Sequence, residues 1–342
     1  MMQKVRLNRR PDVAVVGGGY AGLMAAARLA VGGRSVVIVD PKPVFVHRLK
    51  LHRRLAGKAL ATLPWSTVLP RGVERLAGRA IGWQEGTLVV QTPEEERSLR
   101  PRRLLLATGS RTRQIWDDPL VVDLDDLDAA KALAGRPRVV VAGGGATGIE
   151  TASALAWSGR QVTLVADGFP GLAQAATTLL VQGLHRRGVQ LVEDRLADVG
   201  DGAAHRENGA PIPCDAVVPC LGFVPAPTAA RWGLPTDERG RVIASSSLQI
   251  TSDTYAAGDA VAVRGMPWVG SGAATAMPLG AHAAASLLAD LAGEAPPSFR
   301  FGWTVKNLDL CGGRGVLQRL EPDGTPTAEA ASGLGPVATK AL

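Results

Sequence analysis

Two stretches of this chain are near copies of one another, and both place glycines where a backbone must turn tightly and lie close to a ligand. Val15-Val16-Gly17-Gly18-Gly19-Tyr20-Ala21-Gly22 recurs as Val141-Ala142-Gly143-Gly144-Gly145-Ala146-Thr147-Gly148, and the match runs without a gap to Gly33-Arg34 against Gly159-Arg160. Each copy follows an apolar strand, opens an alanine-rich helix and leads into a second strand, the context that gives a G-x-G-x-x-G its meaning. The first glycine permits the turn, the second lets the backbone approach a pyrophosphate, and the third allows helix and strand to pack closely. The helix N-terminus then offers free N–H groups to the anion. Gly17, Gly19 and Gly22, with Tyr20 and Ala21 between them, form one expected cradle. Gly143, Gly145 and Gly148, with Thr147, form the other. Two such units imply two dinucleotide sites, one for FAD and one for NAD(P)H.

An acidic residue at the end of the following strand binds a ribose hydroxyl in such units. In the first copy Val36-Val37-Ile38-Val39 ends at Asp40, which suits an adenosine ribose. In the second, Val162-Thr163-Leu164-Val165 is followed by Ala166, with Asp167 one residue late. No Arg or Lys stands in the next few positions to hold a 2′-phosphate, which favours NADH over NADPH.

The chain has 342 residues, enough for two domains and a short third element, and its 46% hydrophobic and 20% charged residues describe a globular protein. Cys214, Cys220 and Cys311 form no C-x-x-C pair, so neither a disulfide framework nor a metal site is expected. A net charge of +7 and a pI near 9.8 are compatible with an anionic partner. The excess is mostly dispersed arginine, clustered only at Lys4 to Arg10 and Arg48 to Arg54, and no nucleic-acid motif or aromatic stacking array accompanies it. The apolar run from Ala14 to Gly33 reads as strand, glycine loop and helix, not as a membrane span. A cytoplasmic protein without stable membrane insertion is expected.

The order of elements predicts an α/β fold with two Rossmann-like, three-layer dinucleotide-binding domains. After residue 244 one strand near Gln249 to Ala257 and an apolar helix from about Ala273 to Leu291 cannot form a domain alone. They are expected to finish the first sheet, so that the second domain is inserted into the first. The expected boundaries are 1–112 with 245–300 for the FAD domain, 113–244 for the NAD(P)H domain and 301–342 for a short C-terminal segment. The last part of that segment, rich in Gly, Pro, Ala and Thr, is expected to fray.

Gly17 to Gly22 with Asp40, then Ala107-Thr108-Gly109, then the second loop ending Gly148-Ile149-Glu150, then Thr254-Tyr255-Ala256-Ala257-Gly258-Asp259, follow the order of the two-dinucleotide-binding-domain flavoproteins. Within that superfamily the chain resembles the type II NADH dehydrogenase and ferroptosis-suppressor branch, over roughly residues 11 to 320. The resemblance implies hydride transfer from a nicotinamide to flavin N5 and onward transfer to an acceptor. It implies that Asp259 bonds the ribityl chain or pyrophosphate while Gly258 allows close approach, and that Glu150 approaches the nicotinamide. Asp259 as a cap of the following helix and Glu150 as a partner of the helix dipole stand as alternatives. Lys50 is a candidate to stabilise a reduced flavin, His47 and His52 are surface or packing histidines or proton donors, and Trp303 and Lys306 are candidates to cover the flavin.

Three departures from the resembled proteins bear on the substrate. The paired redox-active cysteines of the disulfide reductases are missing, which excludes that class. The glutamine beside the quinone is missing from Gly272 to Pro278, where Met277 and Pro278 would instead line an acceptor site. No amphipathic stripe for membrane binding follows Glu321. The expected partner is therefore a quinone-like or other small electron acceptor, with a homodimer and an acidic redox protein as further partners to consider. A ferredoxin-type reductase, a biosynthetic flavoenzyme acting on an organic substrate, and an NADH-sensing redox protein are the alternatives.

Overall fold

The computed structural model describes residues 10–57 and 61–333, and both sequence repeats form the predicted strand, loop, helix and strand. Along the chain, β1 (Val13–Val16), α1 (Tyr20–Val31) and β2 (Val36–Asp40) are followed by the short helix α2 (Leu51–Leu55), then β3 (Val73–Ala77) and β4 (Arg103–Leu106). The second repeat comprises β5 (Arg138–Ala142), α3 (Ala146–Trp157) and β6 (Gln161–Val165), continued by α4 (Gln174–Arg186), β7 (Val189–Val192) and β8 (Ala216–Pro219). Then come β9 (Thr254–Ala256), the long helix α5 (Ala273–Ala292), β10 (Val305–Asp309), β11 (Gly315–Leu320) and β12 (Pro326–Gly333).

The described residues divide into two compact units, 10–46 with 62–111 and 224–301, and 47–57 with residue 61, 112–223 and 302–333. The split differs from the expected boundaries in three segments. Residues 224–244 join the first unit, where the Ala226 N–H donates to the Gly109 carbonyl at 3.0 Å and Trp232 Nε1 donates to that of Ile81 at 3.2 Å. Residues 47–57 and 302–333 join the second, because Arg53 and Asp309 pair there and Ser153 Oγ donates to the Leu310 carbonyl at 2.7 Å. The C-terminal segment is thus part of a unit and not a separate element.

In the first unit five parallel strands lie in the order β9-β4-β1-β2-β3. A parallel sheet is covered on both faces, so its strands read as continuous apolar runs. Val13, Ala14, Val15, Ile38, Leu104 and Leu105 are accordingly fully buried. β9 completes this sheet, as expected of the residues beyond 244, with Tyr255 opposite Leu105. Tyr255 Oη donates to Asp290 of α5 at 3.0 Å, a carboxylate that Arg103 also holds, which ties helix to sheet. α5 lies against α1 so closely that a Cβ at Gly280 would sit 2.2 Å from the Ala21 carbonyl oxygen. Gly280→Val is therefore expected to destabilise this unit by about 2 kcal/mol and lower the melting temperature by ~5 °C, readable by circular dichroism.

In the second unit four parallel strands run β7-β6-β5-β8, and β10, β11 and β12 form an antiparallel sheet. β12 places residues 326–333 of the segment expected to fray in a sheet, while the rest of that segment lies outside the described residues. The buried Gln318 amide donates to the carbonyls of Arg319, Thr327 and Glu329 at 2.7, 2.8 and 3.2 Å, while its Oε1 accepts the Ala173 N–H at 2.9 Å. This polar side chain adds to the backbone ladder between β11 and β12 in holding a segment of small residues. Residues 334–342 and the basic cluster at 4–9 lie outside the described residues. Among the described residues no helix is long and apolar enough to cross a membrane.

Candidate functional site

The two glycine loops are built alike to within a few tenths of an ångström. The Gly17 N–H donates to the Val39 carbonyl at 2.9 Å and the Gly143 N–H to that of Val165 at 2.8 Å. The next strand closes from below, with Ala107 N–H on the Val16 carbonyl and Cys220 N–H on that of Ala142, both at 2.8 Å. Gly17 and Gly143 hold φ of 104° and 111°, a region open to glycine. A Cβ there would meet the carbonyl oxygen of Ala107 at 2.3 Å or of Cys220 at 2.5 Å. Gly22 and Gly148 are equally intolerant, since a Cβ on either would lie 1.9 Å from the carbonyl oxygen of Gly17 or Gly143.

The middle glycines behave in the opposite way. A Cβ at Gly19 or Gly145 would find nothing within 4 Å. Each is the N-cap of its helix, α1 or α3, and neither helix has a side-chain cap or an acidic residue in its first turn. No side chain caps the terminal N–H groups, whose partial positive charge is left for an anion. Two cradles whose walls are fixed by contact and whose mouths are open fit the pyrophosphates of two dinucleotides.

Around the first cradle, Asp40 is buried, its Oδ2 accepting the Gly18 N–H and its Oδ1 the Lys42 N–H, each at 2.8 Å. Trp65 lies over Gly18, donates Nε1 to the Lys42 carbonyl at 2.9 Å and carries Arg75 above its ring at 4.6 Å. Tyr20 sits edge-on to Phe45 with ring centroids 5.8 Å apart. Thr108 backs Gly17 beside Ala107, and Gly109 turns the chain with φ of 66°. Gly258, with φ of 82°, brings the backbone against Ala21. Asp259 Oδ2 accepts the Ser110 hydroxyl at 2.7 Å and Oδ1 the Gly272 N–H at 2.8 Å. Gly272 is the N-cap residue of α5, so this bond ties Asp259 to the start of the following helix, while no side chain caps that helix's own first N–H groups. Met277, in the first turns of the same helix, is 39% exposed.

Glu150 is not a bland helix-surface residue. It is buried on α3, and its Oε1 accepts the Asp309 N–H at 2.9 Å. His52 of α2, also buried, stands with Nδ1 3.9 Å from Glu150 Oε2 and Nε2 3.7 Å from Asp309 Oδ2. Arg53 Nε donates to Asp309 Oδ2 at 2.9 Å, and the Cys311 N–H to Oδ1 at 2.8 Å. Burial pushes the Asp309 carboxyl up, but His52, Arg53 and the Cys311 N–H together hold it at about 2. Lys50, by contrast, is exposed one turn earlier. His47 is half-buried with its pKa lowered by burial and then by Lys50, and Lys306 donates to the carbonyls of Pro170 and Gly171, both at 3.2 Å. Arg53 and Asp309 were not singled out in the sequence, where they lie 256 positions apart. The available hint was an acid set among apolar neighbours in Leu308-Asp309-Leu310.

All three cysteines are free and buried. Burial raises the Cys220 thiol to about 12 and, with Asp309, the Cys311 thiol to about 11, so both stay protonated and inert as nucleophiles. Among the described residues no cluster suits a metal.

Asp167 and Arg195 meet at the rim of a cavity of about 330 Å³ beside Gly143 and Ala166. Arg195 Nε donates to Asp167 Oδ2 at 2.6 Å and holds that carboxyl below its ordinary range. Arg195 stands beyond β7, 28 positions along the chain from Asp167.

With ferroptosis suppressor protein 1 of Xenopus tropicalis the chain shares 26% identity over 290 residues, 76% of either chain. With a ferredoxin–NADP reductase of Ignicoccus hospitalis it shares 28% over 283 residues, 72% of this chain and 89% of the relative. The fold is that of a NAD-dependent persulfide reductase from A. fulgidus, with a TM-score of 0.78 at 21% identity, covering 92% of this chain and spanning 64% of the other. Putidaredoxin reductase in its complex with putidaredoxin gives 0.74 at 21% identity, covering 91% of this chain and 81% of the other. Residues 11–278, which hold both glycine loops and Asp259, match the family described as pyridine nucleotide-disulphide oxidoreductase, and the chain belongs to it.

Proposed function

We propose that the protein is an FAD-dependent NAD(P)H oxidoreductase, with FAD cradled by Gly17 to Gly22 and the nicotinamide nucleotide by Gly143 to Gly148, delivering electrons to a quinone-like or other small acceptor. The observation that carries this reading is the doubled cradle, with the same hydrogen bonds and the same open space before two uncapped helices. When bound, a flavin accepts hydride from the nicotinamide and passes electrons on, while the protein supplies binding, orientation and local charge. Asp40, on the Gly18 N–H beside the first loop, is offered as the carboxylate that meets a ribose, with Trp65 packed over Gly18 as the wall next to it. Glu150, held by the Asp309 backbone, is offered as the carboxylate that orients the nicotinamide ring. The buried, protonated thiols argue for transfer straight to an acceptor without a cysteine relay.

A second reading, reduction of an acidic redox protein, draws on the net charge of +7 and on relatives named as ferredoxin reductases. Turnover with a soluble quinone and with a small acidic iron–sulfur protein, each measured from 50 to 500 mM salt, separates the two. The main reading predicts quinone turnover that changes less than about twofold across that range, since a neutral acceptor is not steered by charge. Turnover confined to the iron–sulfur protein and falling steeply with salt would replace it by the second.

A further inference from the structure

In the second unit a buried histidine lies between two buried carboxylates. His52 of α2, Glu150 of α3 and Asp309 of β10 are each less than a tenth exposed. The imidazole spans the gap between the two acids, with Nδ1 3.9 Å from Glu150 Oε2 and Nε2 3.7 Å from Asp309 Oδ2. Glu150 is thereby approached at both oxygens, since its Oε1 accepts the Asp309 N–H at 2.9 Å. One residue of β10 thus reaches Glu150 twice, directly with its backbone and through His52 with its side chain.

A neutral imidazole has one N–H, and its other nitrogen would turn a lone pair toward a carboxylate oxygen. Both contacts are attractive only when each nitrogen carries a proton. Charge balance leads to the same state. Asp309 and Glu150 bring two carboxylates, and Arg53, whose Nε donates to Asp309 Oδ2 at 2.9 Å, brings one guanidinium. An unbalanced charge in so buried a cluster is costly, and a protonated His52 cancels it. The other charges on the elements packed around α2 are engaged elsewhere. Arg48 pairs with Asp125, Arg54 donates to the Leu127 carbonyl, Lys131 pairs with Asp128, and Lys306 donates to the carbonyls of Pro170 and Gly171.

A carboxylate that orients a ligand must itself be held still. A glutamate side chain turns about several bonds, and freezing them costs entropy that a single contact offsets poorly. The Asp309 N–H at one oxygen and the imidazole at the other fix both ends of the Glu150 carboxylate, and a charge-assisted contact is the stronger kind.

We propose that His52, with a proton on both ring nitrogens, is a positioning residue for Glu150, and that the Asp309 side chain orients the imidazole for that task. Loss of the imidazole then slows flavin reduction only through Glu150. The inference rests on the reading of Glu150 as the carboxylate that orients the nicotinamide ring.

Stopped-flow reduction of the flavin-loaded protein by NADH under anaerobic conditions tests it in wild type, His52→Leu, Glu150→Gln and the double variant. His52→Leu and Glu150→Gln should each slow flavin reduction about tenfold, the usual effect of losing a contact to a charged group. The double variant should be no more than about twofold slower than Glu150→Gln, because the two residues act as a unit. Losses that multiply to about a hundredfold in the double variant overturn the inference and leave the nucleotide site standing. So does a His52→Leu protein reduced at the wild-type rate, whatever its melting temperature. The proton is read without any substitution. Imidazole ¹⁵N spectra of wild type near neutral pH, with His52 assigned through its backbone, should show both ring nitrogens protonated, and a bare nitrogen overturns the inference even where His52→Leu does not fold. Glu150→Gln reduced as fast as wild type overturns the reading of Glu150 and the inference with it. Wild type that NADH does not reduce overturns the nicotinamide reading as a whole.

Discussion

Gly19→Glu is expected to give a folded protein without flavin, and Gly145→Glu a folded yellow protein that NADH no longer reduces. Neither substitution meets a wall, because a Cβ at either position has nothing within 4 Å. Each carboxylate would instead lie at an uncapped helix N-terminus, where the dipole and the free N–H groups attract an anion. It would take the place of the pyrophosphate and repel it. A loss of about 100-fold or more in affinity, roughly 3 kcal/mol, is expected at the altered loop and none at the other. The ratio of flavin to protein absorbance, with a thermal melt, reads the first variant. Anaerobic titration with NADH reads the second. Full flavin in Gly19→Glu, or normal reduction of Gly145→Glu, would contradict the assignment of the loops. Gly22→Ala and Gly148→Ala serve as contrasts, since a Cβ 1.9 Å from a carbonyl oxygen must disturb the fold itself.

Removing Arg53 should weaken the second unit by about 3 kcal/mol at pH 7, because Arg53→Ala strands a nearly buried carboxylate at Asp309. The pH dependence carries a definite sign. In the folded protein the Asp309 carboxyl titrates at about 2, below the ordinary aspartate value of roughly 3.9. Its stabilisation is present above about pH 4 and is lost as pH falls toward 2, amounting to roughly 2 to 3 kcal/mol. In Arg53→Ala the folded pKa rises, so the deficit against wild type should be widest near pH 7 and shrink by pH 3.5. Urea unfolding followed at both pH values measures it. A deficit that stays constant would show that Arg53 contributes through packing and not through its charge on Asp309.

The parts of the fold that were legible in the sequence are those where the backbone itself imposes the residue. Gly17, Gly22, Gly143 and Gly148 each stand against a carbonyl oxygen, so their spacing announces the loops without any tertiary information. The apolar runs of β1, β4 and β5 do the same for the buried sheets. What stayed hidden was assembled from distant positions. Arg195 reaches Asp167 from beyond another strand, and Arg53 reaches Asp309 across most of the chain. Short-range spacing cannot report such pairs. Lys50 attracted attention by lying in a basic run, yet the residues of that run that turn inward are His52 and Arg53, which lie two and three positions on along the next helix. β12 stayed hidden for another reason, since its order comes from pairing with β11 and from the Gln318 amide and not from its own composition.

The central claim, two nucleotide cradles in one oxidoreductase, meets its most direct test in the visible spectrum of the purified protein. The band at ~450 nm would be recorded before and after anaerobic mixing with NADH and, separately, NADPH. The account predicts a yellow protein whose band bleaches rapidly, faster with NADH than with NADPH. A colourless protein, or a yellow one that neither nucleotide bleaches, would contradict it.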